Sequence, residues 1–476
     1  MAKIIVIGID GLDPLLLHQW RDELPTVGAL FRDISQISIA STFPPDSICA
    51  WTSIYTGQNP AEHGLIESID YLSSKRSINS EGQTVRYKGK TFWDIIGHHG
   101  KKVCVINPFL AYPAWEVNGV MVSGPVFEGG SISTYPDGIS QKFNFPPLGG
   151  IVDFPAKSEL GAFIEKTMKS TQELTDAGLD VYKSYRPDLF FLTFLTLDRV
   201  KHFLWRFTDS KDPTYPGETP YKNVIKDFYQ LFDAIVKKYY DAADEGTVFA
   251  ILSDHGHRMR CTHLINLNEY LRQQNLIKTN TQGVKGFGKI IIERSKVLAL
   301  DMFDTFGMED WFYRIAKLIP NRKVLKKSTY LVDEQISQVF LGNLCGANPF
   351  GGIKITNIDP AQYEKLRDRT IIALLDLNKQ LNKKVVLWVK RREEVYAGEY
   401  LSELPDVLFE LESNYGVGMN FFVPLITKNY THNKISGGHQ KEGVFLTTGK
   451  HIDITNLARP LSVIGIKEYL LTAATL

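Results

Sequence analysis

The stretch KIIVIGID, residues 3–10, decides the fold, because it is a short apolar run that ends in a carboxylate. Similar apolar runs occupy residues 102–106, 189–197, 247–252 and 443–447. Runs of this length without polar alternation are typical of strands buried on both faces of a parallel sheet. Helical patterns at 159–184 and 221–243 lie between them. This alternation predicts an α/β sandwich whose mainly parallel central sheet is flanked by helices.

Length and composition describe an ordinary soluble globular protein. The chain has 476 residues, a length that allows about three domain-sized units or one large domain with an insertion. Hydrophobic residues make up 43% of it and charged residues 22%, as in ordinary globular proteins. A net charge of +1 gives no general attraction to nucleic acid or acidic membranes. The N-terminus lacks the pattern of a signal peptide, and no apolar run reaches ~18 residues. The four scattered cysteines fit free thiols, so we expect a cytoplasmic protein without a membrane span.

The middle of the chain differs in composition and in its hydrophobic pattern from both ends. Residues 265–435 combine an aromatic-rich stretch, a glycine-rich turn region at 342–352 and a helix–strand pattern at 360–389. We therefore expect a catalytic core formed by 1–264 and 436–476, with 265–435 as an insertion or cap partly continuous with it. The run DMFDTFGMEDWFYRIAKLI (301–319) fits a cap wall, with a membrane-touching or partner helix as the alternative. A helix from about residue 460 closes the chain.

Three apolar runs lead to carboxylates. Asp10 ends the first run, Asp198 follows 189–197, and Asp254 follows 247–252 after one serine. In open α/β sheets, ligand sites gather at the carboxyl ends of the strands, so we expect these carboxylates at one edge.

Histidines accompany these carboxylates. His202 is four residues after Asp198, so both face the same way in a helical turn. His255 is adjacent to Asp254, and His439 follows two glycines that permit close backbone approach. Carboxylate and imidazole groups suit Zn²⁺ or Mn²⁺, and their types and spacing do not separate these two metals.

Ser47 stands at the start of a short helical pattern that ends at Gly57, just past the rigid PPD at 44–46. One interpretation is helix capping, which stabilises a helix by about 1 kcal/mol. The other is a nucleophile placed where a helix N-terminus favours an anion. Taken alone, the position of Ser47 favours capping, and the rest of the chain has to decide between the two interpretations.

These motifs together resemble the alkaline phosphatase superfamily, and within it the prokaryotic branch of the type I phosphodiesterase/nucleotide pyrophosphatase family. Five of them follow the family's order: IGIDGL (7–12), SICAWTSIYTGQNPAEHG (47–64), LDRVKH (197–202), LSDHGH (252–257) and SGGHQKEGVF (436–445). Two further stretches also resemble it: INLNEYLRQQNLI (265–277) and REEVYAGEYLSELPDVLFE (392–410). The resemblance covers nearly the whole chain and leaves only about 270–340 unmatched.

The resemblance implies an alkaline-phosphatase-like three-layer sandwich with an inserted cap, and a metal-dependent phosphoric ester hydrolase with two divalent ions, Zn²⁺ or alternatively Mn²⁺. One ion would be held by Asp198, His202 and His439. The other would be held by Asp10, Asp254, His255 and the Ser47 hydroxyl. Ser47 would then form a covalent phosphoseryl intermediate. His63 would be structural.

Two departures from the family pattern bear on the substrate. The family often has a threonine nucleophile, and it places a phosphate-binding asparagine where this chain has Ala50. Four residues that lie in the motifs could bind the phosphate in place of that asparagine: Trp51, Arg199, His257 and Lys441. Ser47 also lacks the proline and arginine that follow the modified residue of formylglycine sulfatases, and Cys49 fits a packed thiol better than a rival nucleophile.

Several functions remain open at the level of sequence. The leading one is a phosphodiesterase or nucleotide pyrophosphatase-like enzyme, with residues 298–352 lining the pocket for the second substituent. On the same centre, the alternative is a phosphomonoesterase or phosphonate monoester hydrolase. From another class, the alternative is a non-catalytic binding or scaffold protein on a degenerate fold. The expected partner is a small-molecule phosphoester substrate. We expect neither a nucleic-acid partner nor a membrane span, and the sequence is compatible with a homo-oligomer.

Overall fold

The computed structural model describes residues 3–30, 38–66, 84–127, 129–281, 283–305, 331–333, 335–342, 344–356, 358–448 and 461–474. The chain forms two compact units, residues 1–258 with 439–476, and residues 259–438. The assignment of a catalytic core and an inserted cap to these parts stays a prediction. Residues 306–319 of the aromatic run lie outside the described residues.

Strands and helices alternate along the described chain. The strands are β1 (Ile4–Ile9), β2 (Ser38–Ala40), β3 (Val103–Ile106), β4 (Gly119–Ser123), β5 (Ser133–Tyr135), β6 (Leu189–Phe194), β7 (Val248–Leu252), β8 (Gly256–Met259), β9 (His263–Asn266), β10 (Val339–Leu341), β11 (Phe350–Ile355), β12 (Val386–Arg391), β13 (Val407–Leu411), β14 (Tyr415–Gly418), β15 (Ile426–Lys428), β16 (Gly437–Gln440) and β17 (Glu442–Thr447). The helices are α1 (Pro14–Gln19), α2 (Pro25–Leu30), α3 (Ser47–Thr56), α4 (Pro60–His63), α5 (Phe92–His98), α6 (Ile139–Lys142), α7 (Leu160–Tyr185), α8 (Thr196–Thr208), α9 (Val224–Ala242), α10 (Leu267–Gln273), α11 (Gly283–Thr305), α12 (Pro360–Gln380) and α13 (Ile466–Ala473).

An eight-stranded sheet forms the first unit, in the order β2-β17-β7-β1-β6-β3-β4-β5. Strands β7, β1, β6, β3 and β4 are parallel, which confirms the predicted mainly parallel sheet. The run 443–447, predicted as one of its buried strands, is β17 and lies antiparallel to β7, with Phe445 opposite Leu252. Because the chain re-enters the sheet beside the carboxyl end of β7, it has to run in the reverse direction.

Successive residues of β6 pack against helices on opposite faces of the sheet. Phe191 contacts Trp51 and Trp93 from α3 and α5, with ring centroids 6.5 and 5.9 Å away. Phe190, its neighbour, contacts Tyr239 of α9 at 5.5 Å. Each of these fully buried side chains contributes about 1.5–3 kcal/mol through removal of apolar surface from water. This packing gives three layers, helix–sheet–helix, as predicted.

The second unit is built around a four-stranded antiparallel sheet, β10-β11-β13-β12, and a three-stranded sheet, β14-β9-β15. Helix α12 packs against β12, which confirms the helix–strand pattern predicted at 360–389. The predicted closing helix is α13 in the first unit, and it begins at Ile466. No helix in the described part of the chain is both long and apolar enough to cross a membrane.

Candidate metal centre

Three neighbouring strands of the sheet bring the predicted carboxylates to one edge. Asp10 follows β1 directly, and Asp254 follows β7 after one residue. Asp198 lies in the first turn of α8, which begins two residues after β6. Because the sheet order is β7-β1-β6, the carboxyl ends of these strands are adjacent. The main-chain N–H of Gly11 donates to Oδ1 of Asp254, at 3.2 Å, and links two of these ends directly.

The first donor group consists of Asp10, Asp254 and His255, whose ligand atoms all lie within 4.8 Å of one another. Nε2 of His255 is 3.2 Å from Oδ2 of Asp254 and 3.7 Å from Oδ1 of Asp10. Nδ1 of His255 donates to the carbonyl of Gly256 at 3.0 Å. This hydrogen bond fixes the tautomer and leaves Nε2 with a lone pair that faces the carboxylates.

Ser47 lies beside this first group. Its Oγ is 3.1 Å from Nε2 of His255 and 3.5 Å from Oδ1 of Asp10. The capping interpretation of Ser47 does not hold, because Asp46 is the N-cap of α3 and its side chain accepts the N–H of Ile48. Ser47 is the first helical residue, so its hydroxyl is directed to the donor group instead of to the helix end.

The second donor group consists of Asp198, His202 and His439. The predicted i, i+4 pair on a helix is present, with Oδ1 of Asp198 3.3 Å from Nε2 of His202. Nε2 of His439 is 3.5 Å from the same oxygen and only 2.9 Å from Nε2 of His202. Two nitrogens at that distance can share one proton at most, or both can point lone pairs at a cation.

The four residues predicted to bind substrate occupy different environments. Trp51 is fully buried, and its Nε1–H donates to Oδ2 of Asp10 at 2.9 Å, which suits positioning of that carboxylate. Nε of Arg199 donates to the carbonyl of Gly150 at 2.8 Å, and Lys441 is exposed. His257 is buried, and with Asp198 and His255 it forms a third group of close ligand atoms.

Burial and mutual repulsion shift the pKa values of the three carboxylates in different directions. Burial, and then repulsion from Asp254, raises the pKa of Asp10 well above its usual range. Burial followed by repulsion from Asp198 raises the pKa of Asp254 to about 7. Burial also disfavours the charged form of Asp198, but His202 and His439 outweigh it and hold the pKa of Asp198 well below its usual range. Burial and repulsion therefore favour the protonated forms of Asp10 and Asp254, and a bound cation would favour their charged forms instead.

The donors fit divalent metal ions. Oδ2 of Asp254 is buried and has no hydrogen-bond partner among the described residues. Such an atom is costly unless a ligand contacts it. The first group offers carboxylate oxygens and one imidazole, and the second offers one carboxylate and two imidazoles, which are donor types that Zn²⁺ and Mn²⁺ accept.

A buried network beneath the centre was not predicted from the sequence. Oδ2 of Asp13 accepts the main-chain N–H of His257 at 3.0 Å and Nε2 of Gln440 at 2.7 Å. Nζ of Lys201, which is fully buried, donates to the hydroxyl of Tyr229 at 3.1 Å. Burial lowers the pKa of Lys201 to about 8, although Asp13 and Asp198 favour its charge. The one indication of this network in the sequence was Lys201, which lies between Asp198 and His202. A lysine among buried residues is rarely found without an acidic neighbour.

The hydrogen bonds of His63 fit the structural role that the family resemblance implies. Its Nδ1 accepts the N–H of Leu65 and its Nε2 lies 3.1 Å from Oγ of Ser53. The ring is therefore neutral, with its proton on Nε2. Burial lowers the pKa of His63 from about 6.5 to about 3.

This shift predicts a pH dependence of stability. Between pH 6.5 and 3 the unfolded chain protonates His63 and the folded protein does not, so its contribution to the free energy of unfolding is lost as the pH falls. We expect the difference between wild type and His63→Gln to change by about 1.4 kcal/mol per pH unit across that window. Denaturant unfolding at several pH values measures it, and parallel curves for the two proteins would contradict the assignment.

Comparison with known proteins identifies the family. The type I phosphodiesterase/nucleotide pyrophosphatase family model matches residues 4–421. No curated protein matches the chain. Among solved structures, phosphonoacetate hydrolase from Sinorhizobium meliloti 1021, in complex with phosphonoformate, has 15% identity and a TM-score of 0.54, over 99% of this chain and 96% of that chain.

A second solved structure is also similar over the full length. An inactive variant of murine ectonucleotide pyrophosphatase/phosphodiesterase 5, in complex with AMP, has 12% identity and a TM-score of 0.47, over 100% of this chain and 96% of that chain. The likeness to the hydrolase shows the fold, an alkaline-phosphatase-like sandwich. The matched family is metal-dependent. The chain belongs to the type I phosphodiesterase/nucleotide pyrophosphatase family and is a hydrolase that acts on phosphoester bonds.

Proposed function

We propose that this protein is a phosphodiesterase for small-molecule substrates, in which Ser47 is the nucleophile at a centre of two divalent metal ions. The observation that carries the proposal is the position of the Ser47 hydroxyl, 3.1 Å from His255 and 3.5 Å from Asp10. A serine whose only role was to cap α3 would not need that contact, because Asp46 already caps the helix.

Each of the two donor groups would hold one metal ion. Asp198, His202 and His439 would hold one ion. Asp10, Asp254, His255 and the hydroxyl of Ser47 would hold the other. Paired divalent ions lower the pKa of a bound hydroxyl and stabilise negative charge on attacking and leaving oxygens.

The residues of the chain carry out the reaction in two displacements. In the first, the hydroxyl proton of Ser47 passes to solvent water and Oγ bonds to phosphorus. The bond between phosphorus and the leaving oxygen breaks, and that oxygen takes up a proton from water. In the second, water attacks phosphorus and the Oγ–phosphorus bond breaks, and a proton lost by that water returns through solvent to Oγ, which regenerates the serine. Trp51 keeps Asp10 oriented throughout, through its 2.9 Å hydrogen bond.

The start of α3 supports the same chemistry. Ser47 is the first residue of this ten-residue helix. The helix dipole favours an anion at that end by about 0.3–1 kcal/mol. A phosphoryl group on Oγ would be such an anion, so the helix would stabilise the intermediate more than the free hydroxyl.

One observation favours a second candidate, a phosphomonoesterase or phosphonate monoester hydrolase on the same centre. Ala50, fully buried on α3, stands where the family pattern has a phosphate-binding asparagine. A methyl group donates no hydrogen bond, so recognition of the phosphoryl oxygens depends more on the metal ions. This departure argues against a nucleotide substrate more than against hydrolysis itself.

A substrate panel separates the two candidates. We expect kcat/KM for bis-p-nitrophenyl phosphate to exceed that for p-nitrophenyl phosphate, by about tenfold or more, with Zn²⁺ or Mn²⁺ present. The p-nitrophenyl ester of phenylphosphonate is assayed in parallel, and chelator abolishes all three activities. A preference for the monoester or for the phosphonate ester would move the assignment to the second candidate.

A further inference from the structure

His257 is a buried histidine that neither donor group uses. Its side chain has no exposed surface, and neither ring nitrogen has a hydrogen-bond partner among the described residues. Buried polar atoms are almost always satisfied, and those that are not require an explanation, such as a bound ion or water. An imidazole in this state has a lone pair available for a ligand.

The ring of His257 is directed at the second donor group. Its Nδ1 is 3.4 Å from Oδ1 of Asp198, and its ring centroid is 4.6 Å from that of His202. Since His202 and His439 also place a nitrogen 3.3 and 3.5 Å from this oxygen, three imidazoles surround one carboxylate oxygen. The ring of Trp205 lies on another side, at 6.0 Å.

The backbone holds His257 in this position. Its N–H donates to Oδ2 of Asp13, which also accepts Nε2 of Gln440, the residue after His439. One carboxylate oxygen thus ties the segments that carry His257 and His439. At Gly256 a Cβ would come within 2.3 Å of the carbonyl of Glu442, so this part of the chain is closely packed.

We propose that His257 is a fourth protein ligand of the metal ion held by Asp198, His202 and His439. The inference rests on the proposed two-metal centre and adds to it a donor outside both ligand sets. The third group, Asp198, His255 and His257, shares Asp198 with the second donor group and His255 with the first. The link between His257 and the second position is therefore the shared carboxylate, with Nδ1 of His257 3.4 Å from Oδ1 of Asp198.

The additional imidazole makes the two metal positions chemically different. With His257, the Asp198 position has three nitrogens and one oxygen, whereas the Asp10 position has one nitrogen and three oxygens, including Ser47. Imidazole-rich sites suit Zn²⁺, and oxygen-rich sites suit Mn²⁺ better. The Asp198 position is therefore selective for Zn²⁺, and His257 is the residue that makes it so.

Metal binding by the full-length apoprotein tests this inference. Zn²⁺ and Mn²⁺ affinities are measured by competition with a fluorescent chelator for wild type, His257→Gln and the control His63→Gln. The control removes another buried histidine, whose ring nitrogens contact Ser53 and Leu65. We expect His257→Gln to weaken Zn²⁺ at one of two positions by about tenfold or more, and to affect Mn²⁺ less. His257→Asp, which restores a donor, recovers part of the Zn²⁺ affinity.

The outcomes separate this inference from the proposed function. Two tight Zn²⁺ positions in His257→Gln, with wild-type affinity, would overturn the role of His257 and leave the two-metal centre intact. A wild-type protein that binds no metal would overturn both. If His257→Gln does not fold, nitrogen NMR of wild-type protein labelled with ¹⁵N-histidine decides. Four histidines with Zn²⁺-shifted ring nitrogens support the inference, and three, without His257, contradict it.

Discussion

Replacement of Ser47 by alanine is expected to lower kcat by about 10⁴-fold or more, as loss of the nucleophile does in other hydrolases. In the proposed mechanism the hydroxyl oxygen forms the bond to phosphorus, and we expect no neighbouring side chain to replace it. Cys49, two residues later on the same helix, is fully buried and lies on a different face. Steady-state kinetics on the best substrate of the panel measures the effect.

Ser53→Ala is the matched control. Ser53 is on the same helix and fully buried, but its hydroxyl lies 3.1 Å from His63 instead of from the donor groups. This variant should keep kcat within a few-fold of wild type. Metal content is measured for both, because Asp10, Asp254 and His255 should still hold an ion without the hydroxyl. A Ser47→Ala enzyme with more than a tenth of wild-type kcat would contradict the nucleophile assignment.

Asp198→Asn is expected to remove one of the two metal ions of the proposed centre and to lower kcat/KM by about 10³-fold or more. The isosteric amide keeps the shape of the side chain but loses the charge that His202, His257 and His439 all approach within 3.5 Å. A neutral amide is a poor ligand for Zn²⁺ compared with a carboxylate. Elemental analysis after dialysis and kinetics on the same preparation measure both effects.

Asp233→Asn is the matched control for that variant. Asp233 is also a buried aspartate of the first unit, but its carboxylate accepts the N–H groups of Thr26 and Val27 at the start of α2. We expect it to lose some stability and to retain both metal ions. Two retained ions and near wild-type activity in Asp198→Asn would contradict the assignment of the second donor group.

Local pattern was sufficient to predict five of the eight strands in the first unit's sheet and the edge where the carboxylates meet. The apolar runs before Asp10 and Asp254 are buried strands, and adjacency of β7, β1 and β6 follows the rule for open α/β sheets. The reversed direction of β17 was not predictable, because it depends on where the chain re-enters the sheet. The sequence does not encode that position locally.

Side-chain contacts between distant segments account for what the sequence did not predict at the site. The cap of α3 is Asp46, so the hydroxyl of Ser47 is available, although both residues are plausible caps by type. Trp51 contacts Asp10, a residue 41 positions away, and Asp13 contacts His257 across 244 positions. Spacing rules describe neighbours within one helix or strand, so they could not indicate either contact.

The stereochemical course at phosphorus distinguishes a phosphoseryl intermediate from direct attack by water. A chiral phosphorothioate diester is hydrolysed in ¹⁸O-labelled water, and the configuration of the product is determined. Two in-line displacements, the first by Ser47 and the second by water, invert the configuration twice, so we predict overall retention. Inversion would mean a single displacement by water and would contradict the role of Ser47 as nucleophile.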